Sequence, residues 1–72
     1  MTRPELHALV DIVMDARERG IPLAFINFNE DVNIYDRDRI FEFEIWLSDY
    51  PTFPDFTQAV KEYIKTLETT KP

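Results

Sequence analysis

Residues 29–39 read NEDVNIYDRDR, and their oxygen-bearing side chains raise the question of metal chemistry first. Counted from Asp31, a calcium loop would find oxygen ligands at Asp31 (position 1), Asn33 (position 3) and Glu42 (position 12). The remaining positions oppose it. Tyr35 stands at position 5, Asp36 takes the place of the turn-forming glycine, and Arg37 and Arg39 bring two cations into the ligand shell. No metal and no cofactor is therefore expected, and the Asp-Arg-Asp-Arg run reads as a turn whose charges partly neutralise one another.

Catalytic sets are equally sparse. His7 is the single histidine and Ser48 the single serine, on segments with no sequence signal that brings them together. One glycine cannot form a phosphate-cradling loop. Glu42 and Glu44, two apart on a strand, would stand about 7 Å from each other on one face, but a wet sheet surface lacks the dry pocket that moves a carboxyl into an acid role. The expectation is that the protein is not an enzyme.

A contact surface is the stronger reading. Strict alternation places Trp46 on the same strand face as Glu42 and Glu44, opposite Phe41, Phe43, Ile45 and Leu47. An aromatic side chain among acids has the composition of a binding hot spot with a charged surround. Tyr35 and Tyr50 are expected to join it, with Glu30, Asp31, Asp36 and Asp38 at its rim. The partner-binding set is then Glu30, Asp31, Tyr35, Asp36, Asp38, Glu42, Glu44 and Trp46.

The elements that position these residues follow from periodicity and caps. Thr2-Arg3-Pro4-Glu5 has the form of a capping box with proline in the first turn, and Leu6, Leu9, Val10 and Val13 recur at helical spacing, predicting a helix over about 3–19. Gly20 is placed to end it in the left-handed conformation, with Ile21 as the accompanying apolar contact. Thr52-Phe53-Pro54-Asp55 repeats the same opening, and Phe56, Val60, Tyr63, Ile64 and Leu67 predict a second helix over about 53–68, followed by a frayed tail at 69–72. Between them the period changes to two. IFEFEIWL (40–47) alternates like a half-buried strand. IPLAFINF (21–28) is apolar on both faces, as a central strand or a strand meeting another body would be, and VNIYD (32–36) reads as a short strand between turns. The fold class expected is α+β: a small two-layer domain, residues 1–72, with N- and C-terminal helices packed on one face of a two- or three-stranded antiparallel sheet spanning about 21–47. The order is α-β-β-β-α, or αββα if 29–39 is loop.

Composition bounds the function. A 72-residue chain without cysteine must hold itself by apolar burial alone, and its six Phe, three Tyr and one Trp supply that. Absence of disulfide chemistry fits a reducing cytoplasm, and the first residues resemble neither a signal nor a transit peptide. No run is apolar enough for a membrane span. Of the net charge of −6, residues 21–50 hold seven acids against two arginines, which disfavours direct nucleic-acid binding and favours a partner protein with a basic surface. The function expected is a small acidic interaction module that binds and modulates or inhibits its partner. Viral and mobile-element inhibitors of host machinery, including nucleic-acid mimics, have this size and charge by analogy. The alternative is a structural or assembly subunit acting as a homodimer or within a larger complex.

Overall fold

Helix α1 covers Arg3–Glu18 in a computed structural model that describes residues 2–70, and local sequence sets both of its ends. The Thr2 N–H donates to Glu5 Oε1 at 2.8 Å, and the Glu5 N–H donates to Thr2 Oγ1 at 3.3 Å, completing the capping box. At the other end Gly20 takes φ 84°, its N–H donates to the Arg17 carbonyl at 3.0 Å, and the Ile21 N–H donates to the Ala16 carbonyl at 2.9 Å. That paired pattern is a Schellman stop, and Ile21 buries itself against the helix it terminates. Helix α2 covers Phe53–Thr70, opened by Thr52, whose Oγ1 accepts the Asp55 N–H at 3.2 Å. Of the tail expected to fray, Thr69 and Thr70 continue the helix, and Lys71 and Pro72 lie outside the described residues.

Three antiparallel strands lie between the helices: β1 (Leu23–Phe28), β2 (Asp31–Asp36) and β3 (Glu44–Trp46), in spatial order β1-β2-β3. The three-stranded form of the expected fold is the one observed. A two-residue loop joins β1 to β2, with Asn29 at φ 48° and Glu30 at φ 67°, both left-handed as a type I′ hairpin turn requires. A short 3-10 turn, Leu47–Asp49, leads from β3 towards α2.

The third strand is shorter than its alternation suggests. Residues 40–43 are held in turns because the Asp36 carboxylate accepts the Asp38 N–H at 2.9 Å, and the Arg39 carbonyl accepts the N–H groups of Glu42 and Phe43 at 2.8 and 3.0 Å. These local bonds satisfy the backbone before a ladder can form. Phe41, expected on the core side, is instead fully exposed. Phe43 still enters the core, since its carbonyl accepts the Asp36 N–H at 3.1 Å and holds the chain on the line of β3.

Both helices cover one face of the sheet. Leu9, Val13 and Ala16 from α1 and Phe56, Val60 and Ile64 from α2 form one cluster with Ile21, Leu23, Val32, Ile34 and Phe43. Each large apolar side chain buried there contributes about 1.5–3 kcal/mol. Aromatic pairs close the ends of the layer: Phe43 stacks on Tyr63 with ring centres 4.0 Å apart, and Tyr50 meets Phe56 edge-on at 5.8 Å. Arg19 ties the helices together, bridging Asp15 at 3.0 Å and Glu68 across the gap.

Candidate functional site: the helix-free face of the sheet

Pairing register determines what the uncovered face presents. Strand alternation puts Leu23, Phe25, Val32, Ile34 and Ile45 under the helices, so the opposite face carries three cross-strand rows. The first is Ala24, Tyr35 and Glu44; the second Ile26, Asn33 and Trp46; the third Phe28 and Asp31. Ile26 and Phe28 are 50% and 59% exposed, Tyr35 and Trp46 are half-buried, and Glu44 is exposed. Asn33 is buried at the centre, where Ile26 and Trp46 flank it and its Nδ2 donates to the Ile45 carbonyl at 3.1 Å. No strand residue is Lys or Arg. The face is therefore an apolar and aromatic strip bordered by acids.

Five of the six acids singled out from sequence separate into three situations. Glu30 is exposed at the hairpin tip beside Phe28, and Glu44 is exposed on the face itself. Asp31 also lies on the face but is engaged. Its Oδ2 accepts the Ser48 hydroxyl at 2.8 Å, and its Oδ1 accepts the N–H groups of Ser48 and Val32 at 3.0 and 2.9 Å. The Ser48 hydroxyl bond is the main cause that lowers the Asp31 pKa below its ordinary value, with the backbone donors adding to it. Asp38 and Glu42 are exposed on the β2–β3 turn, away from the paired rows, and Glu42 lies 3.7 Å from Arg39.

Besides Asp38 and Glu42, two more of the expected contact residues lie off the face. Asp36, placed at the rim by its charge, is 1% exposed, with its side chain directed to the core side. It accepts the Tyr63 hydroxyl at 2.6 Å and the Asp38 N–H at 2.9 Å, so it fastens α2 to the end of β2. Burial, followed by the bond to Asp36, raises the Tyr63 pKa well above the ordinary tyrosine value. Tyr50, expected beside Trp46, packs on Phe56 instead. The proline-flanked segment after the 3-10 turn carries it back towards α2.

The structure thus brings together Trp46, Tyr35, Glu44, Asp31 and the neighbouring Glu30, and adds Ile26 and Phe28. The sequence signal for the additions was the apolar character of 21–28 on both faces. Residues of the tested chemical sets are dispersed: His7 is exposed on α1, and Ser48 is committed to Asp31. Among the described residues no three His, Cys, Asp or Glu side chains are arranged to hold a metal ion. An open groove of about 560 Å³ runs between the helices on the other side of the molecule, with Asp11, Asp15 and Glu68 set against Arg19, Lys61 and Lys65. Its charges balance, and none of the residues singled out from sequence lines it, so the sheet face is the better site. No helix among the described residues is long and apolar enough to cross a membrane. Comparison with family models, with curated proteins and with solved structures gives no match, so function rests on this geometry alone.

Proposed function

We propose that the protein is an acidic interaction module that docks the helix-free face of its sheet on a partner protein and modulates that partner's activity. The observation that carries this reading is the face itself. An exposed strip of Ile26, Phe28, Tyr35 and Trp46 bordered by Glu30 and Glu44 matches an apolar centre with basic groups around it. Glu30 supports it further. Its carboxylate is exposed at the hairpin tip beside Phe28, at the border of the strip, and its φ of 67° meets the left-handed demand of the type I′ turn at a cost of about 1 kcal/mol that glycine would avoid. A reducing cytoplasm is the compartment proposed, on the absence of cysteine from the sequence.

Inhibition of a host enzyme is one form such modulation takes. The nucleic-acid-mimic version finds less support. Of the six acids it would use, Asp36 is buried, Asp31 is bonded to Ser48, and Glu42 lies beside Arg39. They make no continuous phosphate-like array.

Affinity capture with mass spectrometry from the native cell, at low and high salt, tests the proposal. A partner should be held by the wild type and by Phe41→Ser, which lies off the face. It should be lost with Trp46→Ala and with Ile26→Lys, and should weaken with salt as the Glu30 and Glu44 contacts are screened. Capture unchanged by both face substitutions refutes the assignment.

A further inference from the structure

The free edge of β1 is built to pair with a second copy of itself, and we propose that two chains join there in a continuous six-stranded sheet. The hairpin sets the phase of the backbone. A two-residue loop makes Phe28 and Asp31 a hydrogen-bonded pair, and such pairs alternate along the ladder, so Ala24, Ile26 and Phe28 turn their peptide groups to β2. The Arg37 N–H donating to the Pro22 carbonyl at 3.0 Å keeps the same phase one pair further on. Leu23, Phe25 and Asn27 consequently face outward.

The outward groups of Leu23 are already used, its N–H by the Ile21 carbonyl at 2.8 Å and its carbonyl by Arg17 Nε at 2.9 Å. Those of Phe25 and Asn27 meet no partner among the described residues. The open ladder is therefore short and symmetric about Ile26.

An antiparallel copy placed with Ile26 on the two-fold axis matches it. Phe25 N–H donates to the carbonyl of the partner's Asn27, Asn27 N–H donates to the carbonyl of the partner's Phe25, and the two reciprocal bonds complete four. Ile26 then faces its symmetry mate as a non-hydrogen-bonded pair, where side chains approach most closely.

Charge selects the same occupant. Gly20–Asn29 is the longest uncharged run in a chain of net charge −6, so the one edge that can approach its own copy does so without like charges opposing. β1 also lacks the lysine, proline or bulge that ordinarily blunts an exposed edge, whereas β3 offers only three residues. Under this symmetry the row Ile26, Asn33, Trp46 continues into its mate. The two indoles would stand about 24 Å apart on one side of the sheet, from five strand spacings.

The pairing stands independently of which partner the open face binds. The test is mass by light scattering or sedimentation of the full chain up to about 1 mM, with Asn27→Pro as the variant. That substitution removes the outward donor, leaves the β2 ladder and the open face intact, and costs two of the four bonds, so dimerisation should weaken about thirtyfold. The wild type should climb from 8.6 kDa towards twice that mass, and its Phe25 and Asn27 amides should gain exchange protection with concentration. A monomer throughout, equal dimerisation by Asn27→Pro, or protection of those amides only by an added extended peptide overturns the proposal. The last outcome would assign the edge to a partner's strand.

Discussion

Replacing Tyr63 by phenylalanine removes a single oxygen, and the structure specifies what that oxygen does. It donates at 2.6 Å to Asp36, a carboxylate 1% exposed whose other described donor is the Asp38 N–H at 2.9 Å. Without it, a buried acceptor loses one of two partners. Hydrogen bonds to charged groups contribute about 1.5–3 kcal/mol. Tyr63 is itself only half-buried, so water can reach part of the vacated position, and a cost of about 2 kcal/mol is expected. The ring stack on Phe43 survives the substitution and keeps packing out of the comparison. For a domain this small the loss corresponds to about 8–16 °C in Tm. Urea unfolding followed by far-ultraviolet circular dichroism should show a lower midpoint at unchanged slope. A change below about 0.5 kcal/mol would refute the claim that this bond fastens α2 to β2. The alkaline limb gives a second check with its sign fixed. Because the folded Tyr63 pKa lies above the unfolded value of 10.0, its contribution is fully present below pH 10 and is lost as pH rises through the folded value. Above pH 10 the wild type should therefore lose stability faster than Tyr63→Phe, and the two should converge.

Two further outcomes are specific. Glu30→Gly relieves the left-handed strain at φ 67° and should stabilise the fold by about 1 kcal/mol, while weakening partner capture; an unchanged unfolding midpoint would remove strain from the account of Glu30. Ser48→Ala deletes the leading cause of the lowered Asp31 pKa, so carboxyl titration by NMR should show that pKa rising towards 3.8. The contribution of Asp31 to stability, present above pH 3.8 and lost as pH falls through its depressed folded value, should shrink accordingly; an unmoved titration contradicts the assigned cause.

Both helices were legible within a residue or two because capping and apolar period agree locally: Thr2 and Glu5 open α1, Gly20 and Ile21 close it, and Thr52 opens α2. The strand at 40–47 was overdrawn because alternation counts side chains and not backbone bonds. Phe41, Phe43 and Ile45 alternate perfectly, yet the Asp36 carboxylate and the Arg39 carbonyl hold residues 38–43 in turns. Asp36 itself was misplaced because its partner, Tyr63, lies 27 residues away, a separation no local pattern reports. The same applies to Asp31 and Ser48, 17 apart. The common face of Trp46, Tyr35 and Glu44 was legible because strand parity alone assigns a face once pairing is antiparallel.

Trp46 is the single indole of the chain, and it lies on the helix-free face while Tyr63 and Tyr50 stack against the core side. The protein therefore carries an optical reporter on the face proposed for docking. Selective excitation of tryptophan reads what happens to the strip beside Asn33 and Ile26, so a docking partner should shift the emission to the blue and slow its quenching by acrylamide. Far-ultraviolet circular dichroism follows the folded backbone separately. Occupancy and unfolding can be distinguished in one unlabelled sample.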